Sequence, residues 1–149
     1  MQAVILMGIQ ACGKSTFYHH KFGLTHVRIN LDMLKTRHRE LRLFETCLEI
    51  QQPFVIDNTN PNKADRQRYI ELAKQHKFQI VGYYFESRIR DAIERDRLRP
   101  VTQQIPEKGI AGTAKRLELP NYLEGFDELY YVKLLPEMKF AVEKWSDEI

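Results

Sequence analysis

Near the start of the chain, Gly8-Ile9-Gln10-Ala11-Cys12-Gly13-Lys14-Ser15 follows the spacing G-x-x-x-x-G-K-S, with Thr16 next. This P-loop spacing suits a polyphosphate. The glycines let the backbone curl so that successive N–H groups and the first turn of the following helix face one point. Lys14 would reach the β- and γ-phosphates of a nucleoside triphosphate, and the Ser15 hydroxyl would hold Mg²⁺. Gly8, Ala11, Cys12, Gly13, Lys14, Ser15 and Thr16 are therefore the candidate nucleotide-binding residues. The bland alternative is a glycine turn between a strand and a helix, but motif and flanks together fit the phosphate cradle.

Phosphoryl transfer asks for few further parts: a group to orient the acceptor hydroxyl, a partner for the metal, and cations against the charge of the transferring group. Asp32 would accept the acceptor's proton, although an ordinary helix N-cap would also explain an Asp there. Lys35 follows one turn later. Lys35, Arg39 and Arg42 recur at helical spacing on one face, which as a lone feature would be a solvated surface. Asp32, Lys35 and Arg39 form the candidate acceptor-binding set. Asp57 would act on Mg²⁺ beside Ser15, directly or through water, its alternative being a strand-end turn residue. Asn60 is accounted for by helix capping. Arg95 and Arg99, one turn apart with Arg88 on the same face, would close over the polyphosphate; without the P-loop they would be solvated arginines. Cys12 reads as a small packing residue with its side chain away from the phosphates.

The elements that must position these residues follow from periodicity. The apolar run Ala3 to Met7 is a buried strand, and Lys14 to about Phe22 a helix stopped at Gly23. His26 to Asn30 is a second short strand. Asp32 opens a long helix from Met33 to about Gln51 with Leu34, Leu41, Phe44 and Leu48 inward, ending before Pro53. Pro53 to Ile56 reads as a central parallel strand buried on both sides. A helix from Pro61 to about Lys77 follows, with Tyr69, Leu72, Ala73 and His76 inward. Gln79 to Phe85 is the next strand, and Ser87 would cap a helix ending at Pro100. The segment from Pro100 to Gly125, rich in proline and glycine, fits a mobile flap better than a core element, with only Ile110, Ala114 and Leu117 hinting at a short helix within it. Leu129 to Val132 reads as the last strand, and Leu135 to Trp145 as a closing helix with Met138, Val142 and Trp145 inward. Alternating strands and helices predict an α/β fold: about five parallel strands covered on both faces, with the P-loop, Asp32 and Asp57 at the strands' carboxyl ends.

The 149 residues suit a single domain, 1–149, with a lid at approximately 95–120. Hydrophobic residues make up 43% and charged residues 29%, close to the globular average, so disorder is not indicated. A net charge of +3 permits a polyanionic partner without requiring one. Cys12 and Cys47 are too few for a disulfide framework, no Cys/His spacing suggests zinc, and no apolar run is long enough to span a membrane. A reduced, cytoplasmic setting, with neither a membrane nor an obligate protein partner, is the expectation.

Four stretches together carry a resemblance. Gly8-x4-Gly13-Lys14-Ser15-Thr16, Ile29-Asn30-Leu31-Asp32, Phe54 to Pro61 (F-V-I-D-N-T-N-P), and Leu117-Glu118-Leu119-Pro120 with Glu124-Gly125-Phe126 resemble the kinase domain of polynucleotide 5′-hydroxyl kinases, phage and mammalian, over nearly the whole chain. The P-loop is shared with many families; the third and fourth stretches are far more specific. The resemblance implies a P-loop NTPase fold and transfer of ATP's γ-phosphate, with Mg²⁺, to the 5′-OH end of DNA or RNA. Lys14 and Ser15 would hold phosphates and metal, Asp32 would be the general base, and Arg95 and Arg99 would match lid arginines. Where the phage pattern has an arginine three residues after the base, this chain has Lys35, which keeps the charge without a bidentate fork. A P-loop kinase of a small hydroxyl metabolite, and a non-catalytic nucleotide-binding module, are the competing expectations.

Overall fold

The computed structural model describes residues 1–146. Strands β1 (Gln2–Met7), β2 (Val27–Ile29), β3 (Phe54–Ile56), β4 (Gln79–Phe85), β5 (Glu128–Leu135) and β6 (Lys139–Lys144) form one sheet in the order β2-β3-β1-β4-β5-β6. β1 pairs in parallel with β3 and β4, β2 with β3, and β4 with β5, while β6 runs antiparallel to β5. Helices α1 (Lys14–Phe22), α2 (Leu31–Leu34), α3 (Arg37–Ile50), α4 (Lys63–Gln75), α5 (Ile89–Arg97) and α6 (Glu107–Arg116) surround it.

The two-residue period of β1 divides its side chains between two hydrophobic clusters. Ala3, Ile5 and Met7 join Phe44, Leu48, Tyr69 and Ile70 of α3 and α4 on one face. Val4 and Leu6 join Phe17 and Phe22 of α1, Ala92 of α5 and Ile110 of α6 on the other. The helix after β1 and the helix after the neighbouring β3 thus cover opposite faces. A crevice opens where such adjacent connections diverge, at the strands' carboxyl ends. The P-loop and Asp57 lie there.

Three sequence expectations are corrected. The predicted closing helix from Leu135 to Trp145 is instead a hairpin strand. Glu137 and Met138 adopt φ of 63° and 56° just after Pro136, reversing the chain, and β6 pairs back on β5 from Leu135↔Lys139 to Tyr130↔Lys144. The sheet therefore has a sixth, antiparallel strand. Of the three residues expected inward, Trp145 is buried, over Tyr84 and Tyr131, while Met138 and Val142 are exposed. Charged Lys139, Glu143 and Lys144 suit the edge this strand forms.

The long helix from Met33 to Gln51 is two helices. Lys35 turns left-handed (φ 75°), and the Thr36 hydroxyl caps the restart at α3 by accepting the Arg39 N–H at 3.1 Å. Lys35 therefore lies in the turn and shares no helical face with Arg39 and Arg42. Leu41, expected inward, is exposed.

Capping is the third correction. Asn62, not Asn60, caps α4 through its contact with the Asp65 N–H at 2.8 Å. Ser87 does not cap α5: its hydroxyl donates to the Phe85 carbonyl and accepts the Ile9 N–H. Between Pro100 and Gly125, helix α6 buries Ile110 and Thr113.

Candidate active site

The P-loop takes its shape from the three strand ends beneath it. Gly8 (φ 151°) donates its N–H to the Thr59 carbonyl at 3.0 Å, and a Cβ there would meet Cys12 Sγ at 2.9 Å. Gly13 has φ of 99°, a conformation that a side chain would strain, and α1 starts behind it. Among the described residues no side chain caps the first amides of α1, and its first turn carries no acid. Such an end favours an anion, so the loop fits a polyphosphate. Lys14 reaches back across the loop, donating to the carbonyls of Gly8 at 2.9 Å and Ile9 at 2.6 Å. Cys12 is buried in the core as expected of a packing residue, with its sulfur 3.4 Å from Lys14 Nζ.

Ser15 Oγ donates to Asp57 Oδ2 at 2.9 Å, which joins the loop to the end of β3. Among the described residues no three His, Cys, Asp or Glu side chains gather as a metal cage. One hydroxyl beside one carboxylate is nevertheless what Mg²⁺ uses when phosphate oxygens and water complete its shell, so the pair fits the ion.

From Asp57 the hydrogen bonds run directly to the turn that bears Asp32. Asp57 donates its N–H to the Ile29 carbonyl at 2.8 Å, and Asn30 Nδ2 donates to the Asp57 carbonyl. Asn30 Oδ1 accepts the Met33 N–H at 2.8 Å and is the N-cap of α2. The capping explanation of Asp32 therefore fails: Asn30 holds that position, and Asp32 lies in the first turn with its side chain exposed. Asn58 Oδ1 accepts the Leu31 N–H at 2.9 Å, and its amide donates to Glu40 Oε2 at 2.8 Å. Lys35 is exposed in the turn, and Arg39 donates to the Leu34 carbonyl at 3.3 Å.

Glu40 is buried and also accepts from Arg37 and from the Tyr69 hydroxyl, the latter at 2.8 Å. Burial, then the Glu40 charge and hydrogen bond, push the Tyr69 phenol up to about 12. An unfolded tyrosine titrates near 10, so the folded state holds this proton more tightly. The stability it contributes is complete below about pH 10 and is lost as pH rises through about 12. Tyr69→Phe is expected to flatten the fall in thermal midpoint across that window, which melting curves at stepped alkaline pH would measure.

The two most specific sequence stretches meet around Arg66, whose side chain is fully buried. Its guanidinium donates to both Glu124 oxygens, at 2.8 and 3.2 Å, and to the carbonyls of Asn60 at 3.1 Å and Glu118 at 3.2 Å. Glu118 donates its N–H to the Pro61 carbonyl, and Glu124 accepts the Asn121 N–H. Asn60 is left-handed (φ 44°), buried, and donates to the Leu6 carbonyl at 2.7 Å. The D-N-T-N-P and L-E-L-P…E-G-F stretches are thus one clamp that fixes the strand ends under the P-loop.

Of the two candidate lid arginines, Arg95 reaches the P-loop, Nε donating to the Ala11 carbonyl at 2.6 Å. Arg99 stays with Asp96 on its own segment at 3.5 Å. A second tie crosses from loop to α6: Gln10 Nε2 donates to Thr113 Oγ1 at 2.9 Å. Sequence reasoning missed Arg28, Glu40, Asn58 and Arg66. Glu40 and Arg66 did leave a signal, since each falls on the inward stripe of its helix, Glu40 with Phe44 and Cys47, Arg66 with Tyr69, Ile70 and Ala73. A charge on such a stripe requires a buried partner.

A family model described as an AAA domain matches residues 35–120, more than half of the chain. The bifunctional polynucleotide phosphatase/kinase of Schizosaccharomyces pombe is 28% identical over 98% of this chain and 37% of its own length. The chain thus spans little more than a third of that curated relative. Two examples among the solved structures share the fold. A gluconokinase from Sinorhizobium meliloti superposes with a TM-score of 0.64 at 15% identity, over 92% of this chain and 85% of that one. Kti12 of Chaetomium thermophilum, in complex with ADP-AlF3, gives 0.66 at 14% identity, over 88% of each chain. By the family match and by its six-stranded, mostly parallel sheet, the chain belongs to the AAA domain family and has a P-loop NTPase-like kinase fold.

Proposed function

We propose that this domain transfers the γ-phosphate of ATP, with Mg²⁺, to the 5′-hydroxyl of a DNA or RNA end. The observation that carries the reading is the continuous hydrogen-bonded path Ser15–Asp57–Asn30, which ties the P-loop hydroxyl to the turn bearing Asp32. Donor and acceptor halves of a phosphotransferase need that kind of rigid mutual placement. The likeness to the Schizosaccharomyces pombe protein across nearly this whole chain supports a polynucleotide acceptor.

In this reading Lys14 exchanges its loop carbonyls for the β- and γ-phosphates, beside the uncapped amides of α1. Ser15 and Asp57 would hold Mg²⁺, which when bound would supply positive charge against the phosphate oxygens. Asp32 takes the proton of the 5′-hydroxyl as the hydroxyl oxygen bonds to the γ-phosphorus; the bond to the β,γ-bridging oxygen breaks, and ADP leaves. Lys35 and Arg39 hold the acceptor's phosphates. Arg95, already at the loop, and Arg99 stabilise the transferring charge from a lid spanning approximately 95–120.

The test is an acceptor panel under one ATP concentration: 5′-OH DNA and RNA oligonucleotides, free nucleosides and gluconate. Labelled phosphate is expected on the oligonucleotides. Label on a small hydroxyl compound with bare oligonucleotides would replace this acceptor assignment, and nucleotide binding without transfer to any acceptor would leave a binding module.

A further inference from the structure

Arg28 is the middle residue of β2, and its side chain crosses the carboxyl end of neighbouring β3. Nε donates to Asp57 Oδ2 at 2.7 Å, and Nη2 donates to Ser15 Oγ at 2.9 Å. Ser15 Oγ in turn donates to the same Asp57 oxygen at 2.9 Å, so the three groups close a triangle. The Asp57 side chain is 1% exposed and that of Arg28 22%. A guanidinium therefore already bonds the two oxygens suited to Mg²⁺, one on buried Asp57 and one on exposed Ser15. A second cation bridging them would need the space the guanidinium fills and would be repelled by its charge.

We propose that Arg28 is a built-in stand-in cation. It holds Ser15 and Asp57 in register, excludes a free divalent ion, and gives way only when metal and polyphosphate arrive together. This inference rests on the reading of Ser15 and Asp57 as the metal pair. Its physical basis is an exchange of partners. Mg²⁺ sheds water reluctantly, and alone it would also have to break two charge-assisted hydrogen bonds. A polyphosphate in the P-loop offers the displaced guanidinium a replacement, because its planar fork suits phosphate oxygens. Metal and nucleotide then bind cooperatively, and by linkage each strengthens the other by the same factor. Lysine at this position would keep the charge and lose the fork that bonds both oxygens at once.

The test uses Mn²⁺ as the probe, with free ion counted by electron paramagnetic resonance on the nucleotide-free protein. Arg28→Gln is expected to bind Mn²⁺ about tenfold more tightly than the unaltered chain, the loss of one charge-assisted competitor. ADP should then strengthen Mn²⁺ binding by a correspondingly smaller factor. Equal or weaker Mn²⁺ binding by a folded Arg28→Gln would overturn the proposal. Adding Asp57→Asn to Arg28→Gln separates the two layers: the gained affinity should vanish. If it persists, the metal pair itself is misassigned and the stand-in role falls with it. The unaltered protein gives a check that no variant's folding can spoil. The Arg28 Nε–H resonance should stay in place with millimolar Mg²⁺ alone and move with Mg²⁺ and ADP together; movement with Mg²⁺ alone would contradict the proposal.

Discussion

Asp32→Asn is expected to bind ATP with near-normal affinity and to transfer phosphate roughly 10²-fold or more slowly, the loss typical of a missing general base. The expectation is sharp because, among the described residues, this side chain has no hydrogen-bond or ion-pair partner. Asn30 caps α2, and Asn58 holds the Leu31 amide. Asn is close to isosteric with Asp, so the turn should survive and only the proton acceptor is lost. A nucleotide titration beside a single-turnover transfer assay separates the two effects. Unchanged transfer would return Asp32 to a solvated surface role, and a parallel loss of ATP affinity would mean that it shapes the donor half.

Arg66→Ala should be the most damaging substitution for stability. It leaves the buried Glu124 carboxylate without its counter-charge and strips the Asn60 and Glu118 carbonyls of a shared donor. Breaking a buried pair by removing one member costs about 3–5 kcal/mol, a large part of the roughly 5–15 kcal/mol that holds a domain folded. Urea unfolding measures it. The double change Arg66→Met with Glu124→Leu should cost less than the single one, because apolar groups of similar volume remove the stranded charge. A double variant no more stable than Arg66→Ala would mean that the clamp acts through the two carbonyls rather than through the ion pair. Because Asn60 ties this clamp to Leu6, a surviving Arg66→Ala protein should also bind ATP less tightly.

The parts of the fold that could be read from the sequence were those whose local signals agree. In β1 and the P-loop, a strand buried on both faces meets glycines at positive φ and then a helix start, and each signal demands the next. β3 and β4 were equally plain, as apolar runs with defined ends. The C-terminal strand was not, because Leu135, Met138, Val142 and Trp145 fall at helical spacing by coincidence. Only the left-handed pair Glu137 and Met138 turns them into a hairpin, and neither residue type signals positive φ. The break at Lys35 was hidden the same way, although Thr36 is a good N-cap and marked the restart of the helix. Long-range polar pairing was the least accessible layer. Arg28 meets Asp57 and Ser15 only because β2, β3 and β1 end side by side, and strand order is not written in any one segment. The resemblance located the two specific stretches, while their meeting at Arg66 gives a physical reason for both.

Transfer of phosphate from ATP to a free 5′ end is the activity proposed for this site. The most direct measurement incubates the protein with γ-labelled ATP, Mg²⁺ and one oligonucleotide prepared in two forms, with a 5′-hydroxyl and with a 5′-phosphate, and uses Lys14→Ala as the control for donor binding. Label should appear only on the 5′-hydroxyl form, be released by a phosphomonoesterase, and disappear with Lys14→Ala. Equal labelling of the two forms, or none with either while ATP still binds, would overturn the proposed activity.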